Sequence, residues 1–168
     1  MTATKIQTAS EALGDVLLDL GWMMGCAESC TGGLLAGAIT SIAGSSQWFE
    51  RGFVTYSNAA KVQNLRVNEA TLERFGAVSE ETAMEMAAGV LMAARDAQFA
   101  LSTTGIAGPG GATAGKPVGM VCFGFAQRVD DGFSTRAVTR IFEGDRGQVR
   151  ESSVLFALIN AIEIIRPR

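Results

Sequence analysis

The sequence contains no histidine, and this absence narrows the chemistry before any motif is considered. It excludes Ser-His-Asp and Cys-His hydrolases, and every zinc site that needs an imidazole ligand. The only cysteines are Cys26, Cys30 and Cys122, so a four-thiolate zinc site within one chain is excluded as well. We therefore predict no metal site, and a catalytic serine would need Lys, Tyr, Asp or Glu as its base.

The chain also lacks a basic excess and a long apolar run. Its 14 Lys and Arg residues against 17 Asp and Glu give a net charge of −3, which predicts no nucleic-acid partner. The longest apolar stretch, residues 86–94, is too short to span a bilayer, and the first residues lack the apolar core of a secretion signal. Because an odd number of cysteines without such a signal is typical of reduced thiols, we expect a soluble cytoplasmic protein with no membrane partner.

The residues that are present predict a single domain over 1–168. A chain of 168 residues that is 48% apolar and 18% charged is typical of one globular domain. Helical periodicity and capping residues predict helices after Thr8, at 30–42, at 57–65, after Ser79 and after Asp145. Apolar runs predict strands at 22–27, 53–56, 99–103, 117–125 and 135–142, the last two antiparallel. The alternation predicts an α/β fold, a three-layer α/β/α sandwich with a mixed β-sheet.

The segment Ala27-Glu28-Ser29-Cys30-Thr31-Gly32-Gly33 joins a predicted strand to a predicted helix. At such a junction a serine hydroxyl can lie beside backbone N–H groups that lack a partner within the helix, so Ser29 is a candidate nucleophile. For this segment alone, the simpler interpretation, a helix cap at Ser29 or Thr31, is favoured. Cys30 is a rival nucleophile, although cysteine more often packs as a small buried side chain.

Lys61 follows Tyr56 by five residues, at the junction of a predicted strand and helix. One helical turn onward, it can reach back toward the sheet edge where Tyr56 lies. A catalytic lysine must be neutral, and lowering its pKa from ~10.4 to about 7.5 costs roughly 4 kcal/mol through burial or nearby positive charge. The apolar neighbours Phe53, Val54 and Val62 permit such burial. The alternative is a surface lysine on an amphipathic helix.

Six glycines crowd the segment that follows the strand at 99–103, namely Gly105, Gly108, Gly110, Gly111, Gly115 and Gly119. Such a loop can present backbone N–H groups to a phosphate or a developing oxyanion, and a flexible hairpin is an equally good interpretation. The partial match to a P-loop fails at Pro117, where Ser or Thr is needed, so nucleoside triphosphate hydrolysis is rejected.

Arg146 opens the last predicted helix, and Arg150 lies four residues later on the same helical face. A cation in the first turn opposes the helix dipole, so Arg146 is not explained by helix stability. The two guanidinium groups can grip a phosphate together. From these residues alone, a solvated pair with Asp145 and Glu151 nearby is slightly favoured.

Six segments together resemble the CinA C-terminal domain family, which includes stand-alone nicotinamide-nucleotide amidases. They are AESCTGG (27–33), GSSQWFERGFVTYSNAAK (44–61), GAVSEETA (76–83), TGIAGPGG (104–111), KPVG (116–119) and FEGDR (142–146). The resemblance covers nearly the whole chain in the family's order. It implies hydrolysis of the carboxamide of nicotinamide mononucleotide to nicotinate mononucleotide and ammonia, without a cofactor. In bacteria this reaction returns the nucleotide to NAD synthesis.

The resemblance also implies roles for individual residues. The serine of ESCTGG falls on Ser29 as the nucleophile, and the Tyr and Lys of YSNAAK fall on Tyr56 and Lys61 as catalytic residues. Substrate-binding positions are then expected at Thr31, Gly32, Gly33, Thr104, Gly105, Gly108, Arg146 and Arg150. Backbone N–H groups of 31–33 or of the Gly105 loop are expected to stabilise the oxyanion. The sequence leaves open whether Lys61 or Tyr56 is the base.

The sequence leaves two other functions open, and it also permits an expectation about oligomeric state. In one alternative, the chain is a catalytically silent nucleotide-binding module in which Ser29 only caps a helix. In the other, it is a cysteine hydrolase that uses Cys30. We further expect a homodimer, because compact α/β enzymes of this size often form symmetric dimers.

Overall fold

A computed structural model describes residues 1–167 as one mixed sheet between two layers of helices. The helices are α1 (Thr2–Leu20), α2 (Leu34–Thr40), α3 (Asn58–Leu65), α4 (Glu69–Phe75), α5 (Glu80–Ala93) and α6 (Arg146–Ile165). The strands are β1 (Met24–Glu28), β2 (Phe49–Val54), β3 (Phe99–Gly105), β4 (Met120–Val129) and β5 (Gly132–Ile141).

The strand order is β2-β1-β3-β4-β5. β1 pairs in parallel with both β2 and β3, whereas β3-β4 and β4-β5 are antiparallel. α1, α2 and α6 pack on one face, and α3, α4 and α5 on the other. The predicted three-layer α/β/α sandwich with a mixed sheet is therefore confirmed, as is the hairpin of the last two strands.

The two faces of the sheet differ in side-chain size, because alternate residues of a strand point to opposite faces. Cys26, Leu101 and Phe125 point toward α1 and α6, where the larger hydrophobic cluster lies. Their neighbours on the other face are mostly alanine, and a Cβ at Gly124 would lie 2.0 Å from the carbonyl oxygen of Ala83 in α5. Small residues on this face thus let α5 lie directly against the sheet.

The structure differs most from the predictions at one strand, at two helix starts and at one helix that was not predicted. The strand predicted at 53–56 is β2, Phe49–Val54, which leaves Thr55 and Tyr56 beyond its end. The helix predicted to begin at Thr8 begins at Thr2, and the Thr8 hydroxyl donates to the Thr4 carbonyl inside that helix at 2.9 Å. The helix predicted from residue 30 begins at Leu34, because residues 29–33 form a turn with left-handed backbone at Gly32 and Gly33. The short helix α4 was not predicted.

The parallel arrangement of β1, β2 and β3 positions the candidate residues. Strands that run in the same direction end at the same sheet edge, and ligand sites of α/β proteins lie there. Ser29 follows β1, Thr55 and Tyr56 follow β2, and the glycine-rich loop follows β3. Segments that are distant in sequence therefore meet at one edge.

Candidate active site

The turn that carries Ser29 is held by a buried carboxylate. Glu28 is fully buried at the end of β1, and its Oε1 accepts hydrogen bonds from the Thr31 hydroxyl at 2.7 Å and from the Gly33 and Leu35 N–H groups at 3.1 and 2.9 Å. Its Oε2 accepts from the Ala36 N–H at 3.1 Å. The carboxylate thus caps α2 from within and satisfies the donors that a helix N-terminus leaves free.

Lys61 lies beneath Ser29, with its ammonium nitrogen 2.9 Å from Ser29 Oγ. The same nitrogen lies 2.8 Å from the Thr55 carbonyl oxygen and 3.2 Å from that of Tyr56. Ser57 caps α3 by accepting from the Ala60 N–H, and this places Lys61 one turn into the helix, facing back toward β2. The predicted approach of Lys61 to the sheet edge is therefore observed.

Lys61 is fully buried, and among residues 1–167 no carboxylate forms an ion pair with it. Burial disfavours the charged ammonium, and it lowers the pKa of Lys61 from 10.5 to about 8. A neutral lysine amine has two N–H donors and one lone pair. The two carbonyls and the Ser29 hydroxyl around Lys61 match that set.

A cavity of about 310 Å³ opens above this pair. It is lined by residues from the three strand ends and from the start of α6, among them Ser29, Cys30, Tyr56, Lys61, Thr104, Gly105, Ala107, Gly108 and Arg146. A larger open depression of about 450 Å³, between α3 and α4, is lined by Glu69, Glu73 and uncharged side chains without a candidate nucleophile. The chemistry therefore points to the smaller cavity.

Tyr56 and Arg146 form the exposed rim of this cavity. The Tyr56 side chain is exposed, and its hydroxyl accepts a hydrogen bond from Arg146 Nη2 at 3.1 Å. Arg146 Nη1 donates to the Gly108 carbonyl at 2.7 Å, so the guanidinium joins the glycine-rich loop to the end of β2. The backbone carbonyl of Tyr56 accepts hydrogen bonds from Lys61 and Ser29, whereas its phenol hydroxyl contacts Arg146.

Several predicted substrate-binding residues lie elsewhere. The N–H groups of Gly32 and Gly33 donate to Ser29 O and to Glu28, and neither residue lines the cavity. Thr31 is fully buried, with its hydroxyl 2.7 Å from that of Thr103. Arg150 also lies outside the cavity, where it donates to the carbonyls of Cys30 and Thr31. These four residues build the turn around Ser29.

On the β3 side, Thr104 and the first part of the glycine-rich loop, residues 105–111, border the cavity. The Thr104 hydroxyl donates to the Ala77 carbonyl at 2.7 Å and so fixes the end of β3 to the segment before α5. Within the described residues, the N–H groups of Ala107 and Gly108 donate to no protein acceptor, the Cys30 N–H donates only to the sulfur of its own side chain, and all three residues line the cavity. They are among the N–H groups that remain available to a substrate oxygen.

Cys30 borders the cavity but is poorly suited to act as a nucleophile. Burial raises the pKa of its thiol to about 11, so the reactive thiolate is scarce near neutral pH. No cluster of three metal-ligating side chains occurs between residues 1 and 167, and none of the helices described there is long and apolar enough to cross a membrane.

Sequence reasoning missed two contributors to this site. Glu28 was passed over although it is a carboxylate at the end of an apolar strand, where a buried charge requires several donors. Ala107 gave no signal, because its contribution is a backbone N–H group whose availability depends on the path of the loop.

The chain is similar in sequence to a known protein family and to named members of it. The sequence matches the family model described as CinA C-terminal domain over residues 6–165. It is 54% identical over 162 residues to nicotinamide-nucleotide amidohydrolase PncC of Enterobacter agglomerans, covering 96% of each chain. It is 51% identical to the protein of that name from Escherichia coli K12, covering 94% of this chain and 93% of the relative.

Solved structures of proteins with related sequences share the fold of this chain. The competence damage-inducible protein A from Klebsiella pneumoniae superposes with a TM-score of 0.90 at 33% identity, over 97% of this chain and 99% of that one. The competence/damage inducible protein CihA from Agrobacterium tumefaciens superposes with a TM-score of 0.86 at 44% identity, over 95% of each chain. Sequence and fold agree along almost the full length, and the chain belongs to the CinA C-terminal domain family.

Proposed function

We propose that this protein is an amidase that hydrolyses the carboxamide of nicotinamide mononucleotide, with Ser29 as the nucleophile and Lys61 as its base. The observation that carries the proposal is the 2.9 Å contact between Lys61 Nζ and Ser29 Oγ at the floor of a cavity. The proposed substrate is supported by two relatives at 54% and 51% identity that are named nicotinamide-nucleotide amidohydrolase.

The hydrogen bonds around Lys61 support its role as the base. When the amine is neutral, its two N–H groups donate to the carbonyls of Thr55 and Tyr56, and its lone pair accepts from the Ser29 hydroxyl. When it is protonated, all three oxygens accept from the ammonium, and the Ser29 hydroxyl turns toward the Tyr56 carbonyl at 3.4 Å. With a pKa of about 8, Lys61 is neutral in a useful fraction of molecules near neutral pH.

The reaction proceeds in two stages. Lys61 takes the Ser29 proton while Oγ bonds to the carboxamide carbon, and the resulting oxyanion is stabilised by the free N–H groups of Cys30 and of the loop at Ala107 and Gly108. The tetrahedral intermediate collapses, and the protonated Lys61 gives its proton to the departing nitrogen, which leaves as ammonia. Water, deprotonated by Lys61, then attacks the acyl-enzyme and releases nicotinate mononucleotide and free Ser29.

Substrate binding is assigned to the rim. Arg146 is the cation that lines the cavity at its exposed side, and its guanidinium can accept a phosphate after exchanging one of its two present hydrogen bonds. The Tyr56 phenol positions Arg146, while the Tyr56 carbonyl holds Lys61. Binding energy from the phosphate would thus align the carboxamide over Ser29.

Ammonia release from nicotinamide mononucleotide by the purified protein tests the proposal. Ser29→Ala should abolish release, and Lys61→Met should lower kcat by about 10³-fold, since a positioned base contributes about that much. Lys5→Met, on the exposed side of α1, is the matched control and should keep the unsubstituted rate.

The two alternatives give different results. A silent nucleotide-binding module would bind the mononucleotide without releasing ammonia. A cysteine hydrolase would lose activity on Cys30→Ala, whereas we expect this variant to keep its rate because the Cys30 thiol is protonated. The return of the product to NAD synthesis and the expected homodimer remain proposals. Growth of a bacterial strain that depends on nicotinamide-nucleotide recycling tests the first proposal. Sedimentation velocity of the purified protein tests the second.

A further inference from the structure

Arg150 is a charged side chain in contact with the turn that carries Ser29, residues 29–33, and the proposed mechanism leaves it unused. Its Nε donates to the Cys30 carbonyl and its Nη2 to the Thr31 carbonyl, each at 3.1 Å, across about 120 residues of sequence. We propose that Arg150 is a positioning residue that orients and polarises the Cys30 N–H as an oxyanion donor. This inference rests on the proposed function.

Two peptide groups, joined by hydrogen bonds, connect Arg150 to the Cys30 N–H. The Thr31 carbonyl, held by Arg150, belongs to the peptide group whose N–H is that of Gly32. The Gly32 N–H donates to the Ser29 carbonyl at 3.1 Å. The Ser29 carbonyl in turn belongs to the peptide group that carries the Cys30 N–H. Because each peptide is planar and trans, fixing its C=O fixes its N–H in the opposite direction.

The Cys30 N–H is the free end of this chain. It has no protein acceptor among the described residues other than the sulfur of its own side chain, which is a weak one, and Cys30 lines the cavity beside Ser29. A guanidinium at the other end withdraws electron density along the chain, since hydrogen bonds in series strengthen one another. The positive charge of Arg150 therefore makes the Cys30 N–H a better donor to a negative oxygen.

The turn is built to transmit this effect. Gly32 has a left-handed backbone with φ of 56°, and a Cβ there would lie 3.2 Å from Arg150 Nη2, so glycine allows the guanidinium to approach. Glu28 and Thr103 hold the Thr31 hydroxyl from the other side. Val149, fully buried beside Arg150, anchors α6. Arg150 thus uses Nε and Nη2 to hold the turn, whereas Arg146 faces the cavity and has been proposed to bind the phosphate.

Steady-state kinetics of ammonia release from nicotinamide mononucleotide test the assignment. Arg150→Ala should lower kcat by about tenfold to a hundredfold, less than the loss of an oxyanion donor itself, with KM changed less than about threefold. Guanidinium chloride at low millimolar concentration should restore part of kcat, and methylammonium, which lacks the planar pair of donors, should restore less. Arg136→Ala, an exposed arginine of β5, is the matched control.

Arg150→Lys covers the case in which the alanine variant fails to fold by circular dichroism. One ammonium cannot bridge both carbonyls in the arginine geometry, so kcat should still fall by at least about fivefold at unchanged KM. A raised KM with unchanged kcat would assign Arg150 to the phosphate and overturn the inference. An unchanged kcat, or a lowered kcat that guanidinium leaves unaltered, would overturn it too. If the unsubstituted protein released no ammonia, the proposed function itself would fail.

Discussion

The floor of the cavity, formed by Ser29 and Lys61, and its rim, formed by Tyr56 and Arg146, differ in their exposure to solvent. At the floor, Lys61 is fully buried and Ser29 is 8% exposed, and within residues 1–167 every buried side-chain nitrogen and oxygen has a hydrogen-bond partner. At the rim, Tyr56 is 62% exposed and Arg146 lies in solvent, although the two side chains contact each other.

This difference separates chemistry from binding. A buried amine is forced toward its neutral form, which a base requires, while an exposed guanidinium keeps its charge and can exchange partners with a ligand. We therefore propose different roles for the two cations that line this cavity, because Lys61 is desolvated and Arg146 is not. The following predictions test whether the floor and the rim can be perturbed independently.

The largest effect is expected from the floor, at Lys61. Burial lowers its pKa from 10.5 to about 8, so between these pH values the unfolded chain binds a proton that the folded chain does not. The free energy of unfolding of the unsubstituted protein, relative to Lys61→Met, should therefore rise with pH by about 3 kcal/mol across this interval. Below pH 8 the folded chain also binds the proton, so the full destabilisation caused by burying a charged lysine is present there.

Urea denaturation of both proteins at a series of pH values measures this difference, and a flat difference would contradict a desolvated lysine. The same group predicts that kcat rises through about pH 8, because Lys61 must be neutral to accept the Ser29 proton. With no histidine in the chain, no titration of an imidazole can contribute to that profile.

The next largest effect is expected at Glu28, which holds the floor. In Glu28→Gln the amide oxygen can keep three donors, but the new NH₂ group faces the Ala36 N–H, which now contacts Oε2 at 3.1 Å. Two opposed donors should lower the free energy of unfolding by about 2 kcal/mol. Glu73→Gln, exposed on α4, is the control, and equal stability losses in the two variants would refute the capping role.

A smaller effect, confined to binding, is expected at the rim from Arg146→Ala. Loss of a charged hydrogen-bond donor should raise KM for the mononucleotide by about tenfold while kcat stays within about threefold. The matching assay uses nicotinamide riboside, which lacks the phosphate and should be insensitive to the substitution. A large fall in kcat with the mononucleotide would place Arg146 in the chemistry and remove the distinction between floor and rim.

The smallest effect is expected from Tyr56→Phe. This change removes only the hydroxyl that accepts from Arg146 and leaves the backbone carbonyl that contacts Lys61. We expect kcat/KM to fall less than about fivefold, through KM. A fall in kcat of about a hundredfold would instead make the phenol the acid or base, which the sequence alone left open.

Local chemistry made parts of this protein predictable. The helix caps at Ser79 and Asp145 depend on neighbours in sequence and appear where expected, and the apolar runs of the last two strands predicted their antiparallel pairing although the strand bounds differ by a few residues. The helix start at Thr8 was wrong because its capping pattern lies inside a longer helix, which is fixed by packing against α6. The hydrogen bonds of Arg150 and Gly32 to the turn at 29–33 were not predictable, because their partners are set by the fold.

The sequence by itself determined which chemistry was available: no imidazole, three lysines, one tyrosine and a serine at a strand–helix junction. The tertiary structure decided which of these groups meet and which are desolvated. The parallel ends of β1 and β2 bring Lys61 to Ser29, and burial lowers the pKa of that lysine, as the proposed role of a base requires. Residue types set the possible proton transfers, whereas distance and solvent exposure, which depend on the whole fold, select among them.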